Sequence, residues 1–337
     1  MKTINKVSQA LLLFFATLPL LYGLCDDNGG GPTTPDAGLY HTYQEITTEL
    51  QQLTTAHSAI SLASSIGRSL EGRELWALKI SDRVTEEEGE PVMLLMGAHH
   101  AREWISVEVP FLIAKHMLSR YGSDTLITRL VDHSEVWVIP MLNPDGHQHS
   151  VSTDRLWRKN RRNNGDGSYG VDLNRNYSYQ WGGPGSSGDT FSEIYRGPTS
   201  FSEPETQATR DFINQIRPDA LISYHSYSQL ILFPWGYTST KAPDEALLYS
   251  LAVAMADQIR SVNGKNYTPQ QAAALYLASG DTVDWLYSVF GVPAFTIELR
   301  PQSGYPGFEL PESEIAPTFQ ENLPAMLHLL DWVVQQR

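Results

Sequence analysis

The chain has 337 residues, with 24 Lys and Arg against 38 Asp and Glu for a formal net charge of −14, and 41% of its residues are hydrophobic. This is a soluble globular composition, and its acidic balance argues against nucleic acid as the main partner, because phosphate binding needs a positive surface that releases counterions. It also disfavours an anionic membrane surface, and with no linker-like break in the interior the length suits one large domain.

At the N-terminus, Lys2 and Lys6 precede an apolar stretch from Ala10 to Leu24, the layout of a secretory signal over residues 1–25. The stretch is too short to span a bilayer comfortably, so no membrane span is expected after processing and the mature chain is expected in the medium or the periplasm. Cys25 is the only cysteine. Leu24 just before it disfavours a lipid-anchored cysteine, and the exported body then has neither disulfide nor thiolate metal site. Any metal must be held by His, Asp and Glu. Residues 26–38, DDNGGGPTTPDAG, have nothing to bury and read as a disordered linker. The folded domain is expected over 39–337.

Ile46, Leu50 and Leu53 recur at the spacing of an amphipathic helix. Short apolar runs follow at 73–80, 91–97, 135–142, 219–225 and 294–299 and predict buried strands. Helices are predicted between them at 106–121, 203–216, 244–262 and 281–290, and a last one at 314–335. Ser202 with Glu205 predicts a capping box for the second of these. Strands apolar on both faces and interleaved with helices imply an α/β fold, a single domain built on a mixed, mostly parallel sheet covered on both sides. The Gly-rich stretch 182–189 lacks the GK[ST] of a phosphate loop and reads as a surface turn.

Ligands in such sheets collect beyond the carboxyl ends of the strands, and polar residues stand there after each run: AHHAREW, NPDG, HSYSQ and the close of AFTIELR. His100 and Glu103 at i, i+3, with His225 from a distant segment, would make the two-histidine, one-carboxylate set of a catalytic zinc. Spacing alone does not choose between His99 and His100. Glu298 ends an apolar strand, where a carboxylate is costly unless it is functional or paired with Arg300; beside an activated water it would be a general base. Arg158, in the basic run RLWRKNRR, is either a solvated charge or a partner for a developing oxyanion. Asn174 and Arg175 can grip a carboxylate, and Asp172 can orient a ligating imidazole. His147 and His149 read as an exposed loop pair. His41, His57, His116, His133 and His328 have no motif around them and read as surface or structural.

Together GAHHAREW, RLWRKNR, VDLNRN, HSYSQLILFPWGY, LYLASGDTVDW and FTIELR resemble, in order and from about Tyr40 to the C-terminus, the zinc metallocarboxypeptidases of the carboxypeptidase A kind. The resemblance implies one Zn2+ on His100, Glu103 and His225, with Asp172 behind His100. It implies Glu298 as general base and Arg158 at the oxyanion. Asn174, Arg175 and Tyr276 would bind the substrate's free C-terminal carboxylate, with Tyr276 on a mobile loop, and Arg102 and Tyr227 would line the neighbouring subsite. Val283 at the pocket floor implies apolar or aromatic C-terminal residues, and Asp281 beside it some tolerance of Lys and Arg. The expected enzyme is a monomer that acts on peptide or protein C-termini, bacterial in type, with no room for a folded pro-segment before Tyr40. A zinc deacylase, a peptidase of cell-wall peptides and a catalytically silent binding module are the competing readings; the complete set of site residues weighs against all three.

Overall fold

A computed structural model of the chain describes residues 39–86 and 88–336. The expected signal segment, Cys25 and the linker lie outside the described residues. Eight strands form one sheet: β1 (Ser61–Arg68), β2 (Glu74–Ile80), β3 (Val92–Met96), β4 (Glu135–Ile139), β5 (Ala220–Ser226), β6 (Leu230–Phe233), β7 (Thr268–Gln271) and β8 (Ala294–Leu299), in the order β1-β2-β4-β3-β5-β8-β6-β7. The central strands β4, β3, β5 and β8 run parallel. Antiparallel β2 and β6 flank them, so the sheet is mixed and mostly parallel as expected. Every residue of β3 and β5 is buried, which requires cover on both faces and explains why these strands are apolar throughout rather than alternating.

Three strands escape the apolar-run criterion, β1 and β7 because they form the sheet's edges and β6 because it is short. The edge strand β1 reads SLASSIGR with most residues partly exposed, and the other edge, β7, is TPQQ. Edges tolerate polar residues and proline. Beside β7 lies β6, only four residues long.

Among the described residues, eight α-helices complete the domain: α1 (Tyr43–Ala56), α2 (Ile105–Arg120), α3 (Thr125–Val131), α4 (Pro144–Ser152), α5 (Pro204–Ile216), α6 (Glu245–Asn263), α7 (Thr282–Phe290) and α8 (Ile315–Gln335). The capping box expected at Ser202 is absent. Pro204 occupies the first helical position and Glu203 becomes the N-cap; the Ser202 hydroxyl donates to Glu203, and Glu205 accepts from Leu70 N–H and Asn160 instead. A capping box does open α1, between Thr42 and Glu45. His147 and His149 also depart from expectation: Asn143 caps and Pro144 begins α4, so the pair is helical, and His147 is buried.

His41 ties α1 to α2. Its backbone N–H and Nδ1 meet the buried Glu108 at 2.8 and 2.7 Å, and Nε2 meets Glu49 at 2.9 Å. Burial would lower the imidazole pKa, but Glu108 and Glu49 outweigh it and raise the value to about 9. The raised folded-state value means that the imidazolium stabilises the fold fully below the unfolded pKa of roughly 6.5 and ceases to do so as pH rises through about 9. His41→Gln is therefore expected to lower the melting temperature by several degrees near pH 6 and by less than half as much near pH 9.5, measured by calorimetry at constant ionic strength. Equal losses at both pH values would remove the ion pair as the cause.

Candidate active site

The site is assembled from the carboxyl ends of the parallel strands and the loops that follow them. After β3 the chain turns sharply at Gly97, where a Cβ would stand 2.1 Å from Ser106 O and 2.8 Å from Pro140 O. Only glycine permits that approach. Ala98 follows with φ 54°, its N–H held by Ser106 Oγ at 3.1 Å. The fully buried Asn143 donates at 3.2 Å to both His99 O and Lys159 O. It thereby joins the loops after β3 and β4 to the segment carrying Arg158.

Within this frame His100, Glu103 and His225 converge. Glu103 Oε1 lies 2.8 Å from His100 Nδ1, Oε2 lies 2.9 Å from His225 Nδ1, and the two Nδ1 atoms are 3.1 Å apart. All three residues are at least 97% buried, at 3%, 3% and 2% exposure. Two imidazole nitrogens facing each other across a carboxylate are a donor set that a single cation satisfies, and its chemistry suits zinc. The potential has the matching sign. Burial would lift Glu103, yet His100 and His225 hold it well below the usual carboxylate range. Burial would lower His225, yet Glu103 outweighs it. Next to His100 in sequence, His99 stacks on His225 but offers no nitrogen to the triad, its Nε2 lying 2.8 Å from Thr282 Oγ1. Burial, with His225 and His100 nearby, keeps His99 well below the ordinary histidine range.

Asp172 stands behind His100. Its Oδ1 accepts from His100 Nε2 at 3.1 Å, and its Oδ2 accepts from Arg158 Nη2 at 2.8 Å and Nε at 3.1 Å. Burial would raise this carboxyl, but Arg158 and His100 hold it well below its ordinary value. Arg158 is thus a buried, positioned cation rather than part of a solvated charge run. Glu298 is in register with His225 across the parallel pair β5 and β8, and burial first, with Glu103 nearby, raises its pKa to about 7. Arg300 is not its partner: the Arg300 guanidinium donates to Glu321 and Glu314.

A cavity of about 530 Å³ opens onto His100, Glu103, Arg158, Arg175, Tyr276 and Glu298, with Arg102, Tyr227 and Phe308 along its outer wall. Arg175 is held from behind, Nε donating to Gly185 O at 2.8 Å and Nη1 to Asn174 O at 2.6 Å. The stretch 182–189 is therefore more than a surface turn. A Cβ at Gly185 would sit 1.7 Å from Leu277 O, so glycine lets this strand of chain close against the segment bearing the half-exposed Tyr276. Arg102 lies over the Phe308 ring at 4.3 Å and Tyr227 packs against the same ring at 4.9 Å.

Behind the cavity a recess of about 40 Å³ is lined by Asn174, Leu232, Gly236, Ala272, Asp281 and Val283. Asp281 caps α7 with Oδ1, which accepts from Asp284 N–H at 2.9 Å; its Oδ2 is buried with no hydrogen-bond partner among the described residues. Burial lifts this carboxyl above the ordinary range. Phe308 and Thr282 are contributions that the sequence reading missed. Phe308 lies in a stretch without periodicity, and Thr282 was legible only as the residue after a helix cap.

A family model described as zinc carboxypeptidase matches residues 46–325. The chain is 36% identical over 299 residues to carboxypeptidase A2 of Mus musculus, spanning 88% of this chain and 70% of that protein. It is 38% identical over 295 residues to a zinc carboxypeptidase of Saccharothrix mutabilis subsp. capreolus, spanning 84% and 67%. In three dimensions it is similar to thrombin activatable fibrinolysis inhibitor, with a TM-score of 0.85 and 34% identity over 89% of this chain and 76% of that one. These matches run through every element that carries the site, and the chain belongs to the zinc carboxypeptidase family as a metallocarboxypeptidase that uses Zn2+.

Proposed function

We propose that this zinc carboxypeptidase is exported and removes the C-terminal residue of peptides and proteins, with Glu298 as general base and Arg158 at the oxyanion. The observation that carries this reading is the single cavity onto which the His100 and Glu103 ligands, Arg158, Arg175 and Glu298 all open. Among the described residues no helix is long and apolar enough to cross a membrane.

His100, Glu103 and His225 would hold the zinc, which when bound acidifies water and polarises a carbonyl. Glu298 accepts the proton of the attacking water and returns it to the leaving amine, a role that needs a carboxyl able to both take and give a proton near neutral pH. Arg158, held in place by Asp172, faces the negative charge that develops on the scissile carbonyl oxygen. Asn174 and Arg175, with Tyr276 at the rim, receive the terminal carboxylate. A guanidinium matches a carboxylate bidentately, and only a chain end presents one there.

Val283, Leu232 and Ala272 favour an apolar or aromatic terminal side chain by desolvation. The unpartnered Asp281 Oδ2 supports acceptance of Lys or Arg as well, since a cation reaching it would satisfy a buried oxygen that otherwise lacks a donor.

Amino-acid release from hippuryl-Phe and hippuryl-Arg by the purified 26–337 chain tests the reaction. Release should stop with a chelator and return with zinc, and Glu298→Gln should lower kcat by roughly 10²–10⁴-fold with zinc still bound. A C-terminally amidated hippuryl-Phe should be left intact; its cleavage would remove the carboxylate grip. Asp281→Asn keeps a capping side chain and should reduce the rate on hippuryl-Arg at least about tenfold relative to hippuryl-Phe. Activity confined to C-terminal Asp or Glu would overturn the pocket reading. Asp172→Asn should weaken zinc affinity by about 10–100-fold in a competition titration against a chromogenic chelator.

A further inference from the structure

The fully buried His99 is used by neither the zinc triad nor the proton transfers, yet it sits in a continuous chain of hydrogen bonds. Ser223 Oγ lies 3.4 Å from its Nδ1, and its Nε2 is 2.8 Å from Thr282 Oγ1 and 3.1 Å from Tyr177 OH. Thr282 in turn contacts Asn174 Oδ1 twice, through the backbone N–H at 3.0 Å and the hydroxyl at 3.1 Å.

With all three contacts of Thr282 made as hydrogen bonds, the protons along this chain have one arrangement. The Thr282 N–H can only donate, so the atom of Asn174 that receives it is the carbonyl oxygen. That oxygen cannot donate back, so the Thr282 hydroxyl gives its own hydrogen to Oδ1. Thr282 Oγ1 must then accept from His99, which fixes His99 as the Nε2–H tautomer and leaves Nδ1 to accept from Ser223.

We infer that His99 is a positioning residue for substrate binding: its Nε2–H holds the Thr282 hydroxyl toward Asn174 Oδ1 and so fixes the amide, leaving its NH₂, whose nitrogen is 3.5 Å from His225 Nε2, to donate to the terminal carboxylate. The inference rests on the reading of Asn174 as a carboxylate ligand. Asn174 meets that carboxylate in the ground state as well as in the transition state, so loosening it raises KM and leaves kcat in place. His99 also stacks on His225, with ring centroids 5.3 Å apart at 18°. A purely structural role would therefore act through the zinc ligand, on kcat and metal content together.

The test compares four variants of the zinc-loaded enzyme on hippuryl-Phe: His99→Leu, His99→Gln, Thr282→Val and Asn174→Ala. His99→Leu should raise KM about five- to tenfold, the worth of one buried hydrogen bond, with kcat within about twofold and zinc content unchanged. His99→Gln, which keeps a donor at the end of a planar amide, should restore most of the KM. Thr282→Val should match His99→Leu, and the double variant should be no worse than Thr282→Val alone, because both break one chain. If Asn174→Ala raises KM but His99→Leu does not, the positioning role is wrong and the carboxylate reading stands. If Asn174→Ala leaves KM unchanged, the carboxylate reading itself fails and the inference with it. A joint fall of kcat and zinc content in His99→Leu overturns it in favour of packing against His225.

Discussion

One buried carboxylate, Asp172, holds the site together. Its two oxygens serve different residues: Oδ1 accepts a hydrogen bond from His100 Nε2–H, and Oδ2 accepts a forked pair of donors from Arg158. The first contact fixes the His100 tautomer so that the lone pair of Nδ1 points at Glu103 and His225. The second holds the guanidinium at a fixed place beside the triad, with Arg158 Nη1 3.9 Å from Glu103 Oε1. Asp172 Oδ1 also accepts from Asn174 N–H at 3.0 Å. A single fully buried side chain therefore couples the His100, Glu103 and His225 set, the Arg158 guanidinium and the start of the segment that carries Asn174 and Arg175. Such a group is tolerated in the interior only because every charge it brings is met by donors.

The parallel sheet makes this coupling possible. Successive strands in a parallel sheet end on the same side, so β3, β4, β5 and β8 deliver their following residues to one rim. The register then decides which of those residues meet: His225 on β5 stands opposite Glu298 on β8, while Gly97 lets the loop after β3 bend back far enough for His100 and Glu103 to join them. The backbone of this loop is strained at Ala98, a non-glycine residue in the left-handed region, and the strain is held by the Ser106 hydroxyl.

How much of this was legible in the sequence follows from what each signal measures. Apolar runs report burial on both faces, so the central strands were read and the edge strands β1 and β7, half in solvent, were not. Strand ends could be searched for polar residues, which brought His100, Glu103, His225 and Glu298 forward together. Spacing could not separate His99 from His100, which the resemblance did, and the fold shows the difference: His100 Nδ1 meets Glu103 while His99 Nε2 meets Thr282. The expected box at Ser202 failed for a local reason. The S-x-x-E spacing was right, but Pro204 at the first helical position moved the cap to Glu203. The helix α4 was announced by its own cap and proline, Asn143 and Pro144, and was passed over because NPDG also reads as a turn.

The charges that flank the site without entering it argue that geometry, not only stability, shaped this region. Arg300 follows Glu298 by two residues and is bound to Glu321 of α8 through both Nε and Nη2, and to Glu314 just ahead of that helix. Tyr267 donates to the same Glu321 at 2.8 Å. A buried ion pair of this kind is often no more stable than well-packed apolar side chains of similar volume. It does tie the end of β8 to one helix at one angle, whereas an apolar contact could slide. Since Glu298 lies on that strand, two residues before the anchor, a shift of β8 along α8 would carry the carboxyl away from the triad. Reacting groups lose much of their rate with displacements near 1 Å, so a directional anchor at this point suits the proposed role of Glu298 even where it adds little to the stability of the fold.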